Sequence, residues 1–317
     1  MAEYKGINGT KVQNYSSDPS NPIKGQVWYN ETTNTLKVES ETTAGAWATG
    51  GNLNTARYLA QNGAGTQTAG LVFGGHNDTT TTAVTESYNG STWTEVNDMN
   101  TARLATGAGG TQTSALVAGG DPFPTSAAES WNGTNWTAVN SLNTARRYLA
   151  GAIAVNTAGI VFGGLAPSTT YANTELWNGT NWTEVNDLAT ARRSNAGVGS
   201  STAGLAMGGY VTGTVANCES WNGTNWTEVN DQSNAGGGEA FGTLASAVKM
   251  GGSGNVVELW NGTNWSAGTN NPVTLSNRSG IGTSSLGLLA GGESPASVAT
   301  EEYIGAGVVV TKTITAS

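Results

Sequence analysis

The sequence predicts an all-β protein assembled from one repeated unit of four short strands. Three observations predict it. A Gly-Gly pair closing a small apolar run recurs at 74–75, 119–120, 163–164, 208–209, 251–252 and 291–292, at intervals of 45, 44, 45, 43 and 40 residues. An Asn-Gly dipeptide, which accepts positive φ and favours tight hairpins, returns at 89–90, 132–133, 178–179, 222–223 and 261–262. No segment has helical period, and 46 Gly with abundant β-branched Thr and Val disfavour helix throughout.

The first unit shows the expected strands in order. Tyr58 to Gly65, rich in small residues, is the first. Gly70-Leu-Val-Phe-Gly-Gly75 is a short apolar run fit for a strand buried on both faces. Ala83 to Tyr88 is the third strand and Thr92 to Val96 the fourth, with Asn89-Gly90 as the turn between them. Each unit also opens on an arginine (57, 103, 146, 192), with Arg278 a candidate for the sixth. After each Gly-Gly comes a Glu two residues before an aromatic, at 86, 129, 175, 219, 258 and 301. A tryptophan follows at Trp93, Trp136, Trp182, Trp226 and Trp265, and Val308 stands there in the last copy. These tryptophans, with Trp47 upstream, are the expected structural residues of the repeat.

Four strands per unit of about 45 residues, repeated in series, define the blades of a β-propeller. One bulky Trp at a fixed place in each unit suits packing of blade on blade. Burying it contributes roughly 4–6 kcal/mol as an upper limit. The buried Gly-Gly strand, the aromatic, the later Trp and the opening Arg together resemble the kelch repeat. The resemblance covers 54–305 in six copies. It departs from the family pattern in having Trp-Asn-Gly where kelch units more often carry Tyr-Asp. The fifth unit lacks the Arg and the sixth lacks the Trp. No Trp-Asp dipeptide occurs, which sets the WD40 propellers aside.

Residues 1–50 decide the number of blades. Gly25-Gln-Val-Trp-Tyr-Asn30 aligns with Gly70 to Gly75, and Trp47 precedes Arg57 by the interval that separates Trp93 from Arg103. On this reading 10–50 is a divergent blade whose first strand is Lys11 to Tyr15. Val308 to Ile314 then completes the last unit, residues 51–317 supply six repeats, and the ring has seven blades. The alternative has six blades: the Trp47 strand closes the last one, and the first 35 or so residues form an arm. Pro22-Ile-Lys-Gly-Gln-Val-Trp-Tyr-Asn30, Asn34-Thr-Leu-Lys37 and Ala46-Trp47 resemble a short β-meander of bacteriophage virion and tail-fibre proteins. The Glu-Ser-Trp-Asn-Gly-Thr-Asn-Trp-Thr-Glu-Val-Asn-Asp repeats resemble kelch-like proteins of marine phages.

Composition narrows the chemistry. Net charge is −9 and the six lysines leave a gap from Lys37 to Lys249, so no basic groove for nucleic acid is expected. Cys218 and His76 are the only residues of their kinds. No disulfide within the chain, no metal site built on Cys or His clusters and no cofactor is therefore expected. Cys218 reads as a small core filler. No apolar run approaches the roughly 18 residues of a membrane-spanning helix, so no membrane insertion is expected. The first residues show no apolar signal core, so synthesis in a host cytoplasm is the expectation. Asn132 and Asn135 fit the glycosylation pattern, and turn chemistry explains them better.

The repeated Arg and Glu suggest structural ion pairs, because catalysis needs one distinct site and not the same pair in every unit. The hairpins are nearly identical from copy to copy, whereas the loops after Gly-Gly differ. These loops carry the contact candidates His76, Asp78, Asp121, Phe123, Tyr171, Tyr210 and Glu293. No catalytic residue is expected. The resulting expectation is a non-enzymatic virion protein, of tail, fibre or capsid surface, present in several copies. It would contact other virion proteins, and a host-surface glycan or protein, through one loop-bearing face. A lectin-like glycan-binding module is the alternative. A glycan-active enzyme using Asp78, Asp121 and Glu293 is the less favoured third.

Overall fold

Each of the first five repeats folds as an antiparallel four-stranded sheet whose strands follow chain order. The computed structural model describes residues 12–314 apart from 43, 60–62, 252–254, 275 and 294. Among these residues the secondary structure is entirely β, with no helix. The first sheet comprises Ala64–Thr66, Ala69–Phe73, Thr85–Tyr88 and Trp93–Val96. Its expected first strand is shorter than the sequence suggests: Tyr58 makes only an isolated bridge to His76, and 60–62 fall outside the described residues. The second Gly of the 251–252 pair and Lys11 also lie outside them.

The chain divides into two compact units, 47–303 and a smaller one of 1–46 with 304–317. The larger unit holds six four-stranded sheets. Their first strands are Ala64–Thr66, Gly107–Thr111, Ala150–Val155, Ala196–Ser200, Glu239–Thr243 and Ser279–Gly282. Each lies beside the next, and Ser279–Gly282 lies beside Ala64–Thr66. This approach explains the glycines: a Cβ on Gly280 would sit 2.4 Å from the Ala240 carbonyl oxygen, and one on Gly197 2.6 Å from that of Gly151.

Aromatic pairs across the hairpins hold the outer halves of the sheets. Trp131 opposes Trp136, Trp177 opposes Trp182, Trp221 opposes Trp226 and Trp260 opposes Trp265, with ring centroids 5.1–5.4 Å apart. The outer Trp also reaches the preceding sheet. Trp136 meets Phe73 edge-on at 4.8 Å, and its Nε1 donates to Thr85 Oγ1 at 3.0 Å. Trp226 does the same with Phe162 and Thr174, and Trp93 donates to Thr300 of the sixth sheet. In the third sheet the pattern breaks. The residue matching Thr85 is Ala128, and buried Trp182 Nε1 has no partner among the described residues.

Asparagines explain why the hairpins barely vary. Asn132 Oδ1 accepts the backbone amides of Thr134 and Asn135 at 2.9 and 2.8 Å, an Asx turn that uses the side chain locally. Asn97, at the end of the preceding sheet, donates to Thr134 O and Asn135 Oδ1. The same link recurs from Asn140, Asn186 and Asn230. Changing Asn135, Asn181, Asn225 or Asn264 therefore disturbs two sheets.

The sixth sheet corrects one expectation. Its order is Ser279–Gly282, Leu286–Ala290, Thr300–Ile304 and then Ala46–Thr49, so the Trp47 strand takes the outer place expected for 308–314. Trp47 packs on Tyr303 at 4.9 Å, restoring the aromatic pair that the last repeat lacks in linear sequence. Val309–Ile314 pairs instead with Thr35–Glu41 in the smaller unit. There Gln13–Tyr15 runs parallel to Val27–Asn30, so 10–50 does not follow the repeat strand for strand. Trp28 is the buried centre of that unit. Asp18 accepts from Trp28 Nε1, Asn30 Nδ2 and Lys37 Nζ, and these bonds, Lys37 first, lower its pKa to about 2.

Candidate functional site

The repeated Arg and Glu are structural, and each pair lies within one repeat. Arg57 Nη2 donates to Glu86 Oε1 at 2.5 Å, Arg103 to Glu129 at 2.6 Å, Arg146 to Glu175 at 2.8 Å and Arg192 to Glu219 at 2.7 Å, all buried. Arg278 pairs with Glu301. The opening tripeptide completes the carboxylate's shell: Asn54 donates to Glu86 Oε2 from its amide and side chain, and Thr55 NH donates to Oε1. Each guanidinium also ties down carbonyls at the strand ends, as Arg57 does with Gly74 and Val84. Burial lowers the arginine pKa values, and the partner carboxylates oppose that fall.

The fifth sheet departs from this design. Gly236-Gly-Gly238 occupies the place of the arginine and the two residues after it. Glu258 still accepts the amides of Ser233 and Asn234, at 2.8 and 3.1 Å. The buried cation beside it comes from another strand: Lys249, whose Nζ donates to Gly236 O at 3.1 Å. Burial lowers the Lys249 pKa to about 8 against the attraction of Glu258 and Glu239.

Beside these glycines lies a cavity of about 550 Å³, within the size range of small-molecule sites. Gly236, Gly237, Gly238, Glu239, Arg193, Asn195, Tyr210 and Asn277 are among its walls. Glu239 Oε1 accepts the Arg278 amide at 2.8 Å, and burial raises the Glu239 pKa. The Arg193 guanidinium lies over the Tyr210 ring, 4.5 Å from its centroid. Asn195 is only 7% exposed, and neither Oδ1 nor Nδ2 has a partner among the described residues. A second cavity, of about 210 Å³, is lined by all six first strands, mostly by glycine and small apolar residues.

The loop candidates are largely engaged with their surroundings. His76 packs against Tyr58 with the rings tilted and their centroids 5.3 Å apart, and its Nδ1 has no partner among the described residues. Asp78 Oδ2 accepts the Ala296 amide at 2.8 Å, tying the first sheet's loop to the sixth's. Both Asp121 carboxylate oxygens accept from Arg147 Nη1 at 2.9 Å. Glu293 accepts from Ser276 Oγ at 3.1 Å and from Asn277 Nδ2. Tyr171 is half-buried, its amide donating to Gly164 O. Phe123 is 82% exposed. Ser253 and Gly254 of the fifth loop and Ser294 of the sixth lie outside the described residues.

Of these candidates only Tyr210 lines the 550 Å³ cavity, with Asn277 joining Glu293 to its rim. Sequence reasoning missed Arg193, Asn195, Glu239 and Lys249. The available signal was the lost arginine of the fifth repeat. Among the described residues no group of three or more His, Cys, Asp or Glu side chains gathers to hold a metal ion. Cys218 is a buried thiol whose pKa burial raises. A scan against known protein families finds no match, and a search of curated proteins finds none.

Proposed function

We propose that residues 47–303 form a closed, six-bladed, kelch-like β-propeller serving as a non-enzymatic component of a bacteriophage virion. It would present its loop-bearing end to neighbouring subunits or to the host surface. The cyclic order of the first strands supports closure, as does the reach of Trp93 to Thr300 of the sixth sheet. Six is favoured over seven because Ala46–Thr49 supplies the last outer strand.

The observation that carries the contact role is Phe123. It stands almost wholly in water on a loop whose neighbour Asp121 is held by Arg147. A loop tied down at Asp121 and displaying one bare aromatic ring suits an interface anchor, and aromatic anchors dominate binding energy in protein contacts. The virion assignment draws on the resemblance of the N-terminal block and of the hairpin repeats. The acids considered for an enzyme, Asp78, Asp121 and Glu293, are each engaged in structural bonds on separate loops.

Mass spectrometry of purified particles tests the assignment. Many copies per particle are expected, and absence from the particle would overturn it. Phe123→Ser tests the contact role: the folded variant should be retained on the particle, or on host cells, at least tenfold less than the native chain. Equal retention would remove Phe123 from the interface.

A further inference from the structure

We infer that the cavity beside Gly236–Gly238 binds a small molecule carrying a primary ammonium group, an amino acid or an amino sugar, and that Glu239 receives the ammonium. The inference goes beyond the virion reading and does not depend on it.

A buried carboxylate carries it. Glu239 pairs with Met250 on the inner strand of the fifth sheet. The same place is held by Gly107, Ala150, Ala196 and Ser279 in the second, third, fourth and sixth sheets. Among these five, only the fifth sheet puts a charged side chain there, and it is 6% exposed. A carboxylate so placed is costly unless a cation or several donors meet it. Oε1 accepts the Arg278 amide at 2.8 Å, whereas Oε2 accepts from no other residue among the described ones. The two cations that attract Glu239 are engaged elsewhere: Arg278 pairs with Glu301, and Lys249 Nζ donates to Gly236 O.

The free oxygen belongs to the cavity wall. Glu239 and Gly251 both line the cavity, and the glycine leaves Oε2 uncovered, since a Cβ there would stand 3.3 Å from it. An ammonium brings three donors and a full positive charge, and so favours the ionised form that burial opposes. A hydroxyl brings one donor and no charge. A metal ion would need further ligands, and no cluster of them gathers among the described residues.

The other walls narrow the kind of amine. Thr214, Thr274 and Asn277 offer polar groups to hydroxyls or a carboxylate. Arg193, lying over the Tyr210 ring, also lines the cavity, and its charge opposes a diamine and favours a ligand with a carboxylate. An amino acid or an amino sugar meets these conditions, and a polyamine does not.

Calorimetric titration of the full chain tests the inference. The probes are γ-aminobutyrate and glucosamine, each set beside its amine-free counterpart, butyrate and glucose. At least one amine should bind about ten times more tightly than its counterpart. Glu239→Gln keeps an acceptor for the Arg278 amide but turns an amide donor towards the ammonium. It should weaken amine binding at least tenfold without lowering the melting temperature. If that variant fails to fold, Thr214→Trp, placed at an exposed wall residue, should block the cavity and abolish binding. Failure of both amines to bind the native chain would overturn the inference. So would binding no tighter than that of butyrate and glucose, or undiminished binding by Thr214→Trp or by a folded Glu239→Gln. Particle composition has no bearing on any of these outcomes.

Discussion

Replacing Ala128 by Thr should stabilise the protein, because it supplies an acceptor that one buried tryptophan lacks. In the first, third and sixth sheets the matching residue is Thr85, Thr174 or Thr300. Each hydroxyl accepts from the outer Trp of the following sheet at 2.9–3.0 Å. Ala128 in the second sheet has no hydroxyl, and Trp182 Nε1 is left buried and unpaired. An unsatisfied buried donor costs about 1–3 kcal/mol, and a recovered hydrogen bond is worth about 1 kcal/mol net. The two added heavy atoms lie in a strand, where a β-branched side chain fits. We expect a net gain of about 1–2 kcal/mol, a rise of roughly 2–4 °C in melting temperature. The comparison that isolates the bond is Ala128→Val, which adds the same volume without the hydroxyl. Chemical denaturation and calorimetry of all three proteins provide the readout. If Val stabilises as much as Thr, packing alone accounts for the gain and the hydrogen-bond reasoning is refuted.

Two further outcomes follow from the buried charges. Arg146→Met leaves the Glu175 carboxylate buried without its cation, so denaturation should show a loss of about 3–5 kcal/mol, and a loss below about 1 kcal/mol would contradict the pairing. Lys249 faces Glu258, Glu239 and Cys218, and its pKa lies near 8 in the fold against 10.5 ordinarily. The unfolded chain thus binds more protons between those values, and stability should rise with pH across that window by up to about 1.4 kcal/mol per unit. Urea titrations should show that rise in the native chain and not in Lys249→Met.

The six repeats were legible because their glycines, tryptophans and hairpin asparagines each answer a local demand that recurs every 40–45 residues. The last outer strand was legible only as the alternative to 308–314, because an exposed edge strand carries little hydrophobic signal. Val309–Ile314 alternates as plausibly as Ala46–Thr49. One clue was present: the last copy lacks a Trp after Tyr303, and Trp47 is the residue that fills the gap. The cavity was hidden for a different reason. Its walls come from the third, fourth, fifth and sixth repeats, and no single stretch of sequence contains them. Gly236-Gly-Gly238 was visible as a lost arginine. That Asn195 and Arg193 would border the same cavity depends on how neighbouring sheets stack.

The strand shared by the two ends of the large unit governs the order in which it can be built. The first five sheets each draw their strands from one local stretch and can consolidate as soon as that stretch is made. The sixth joins Thr300–Ile304 to Ala46–Thr49, about 250 residues away. Closing so long a loop costs about 1.5–2 kcal/mol more in chain entropy than closing one repeat. The strand that seals this sheet is therefore synthesised before all its neighbours in the unit and engaged after them.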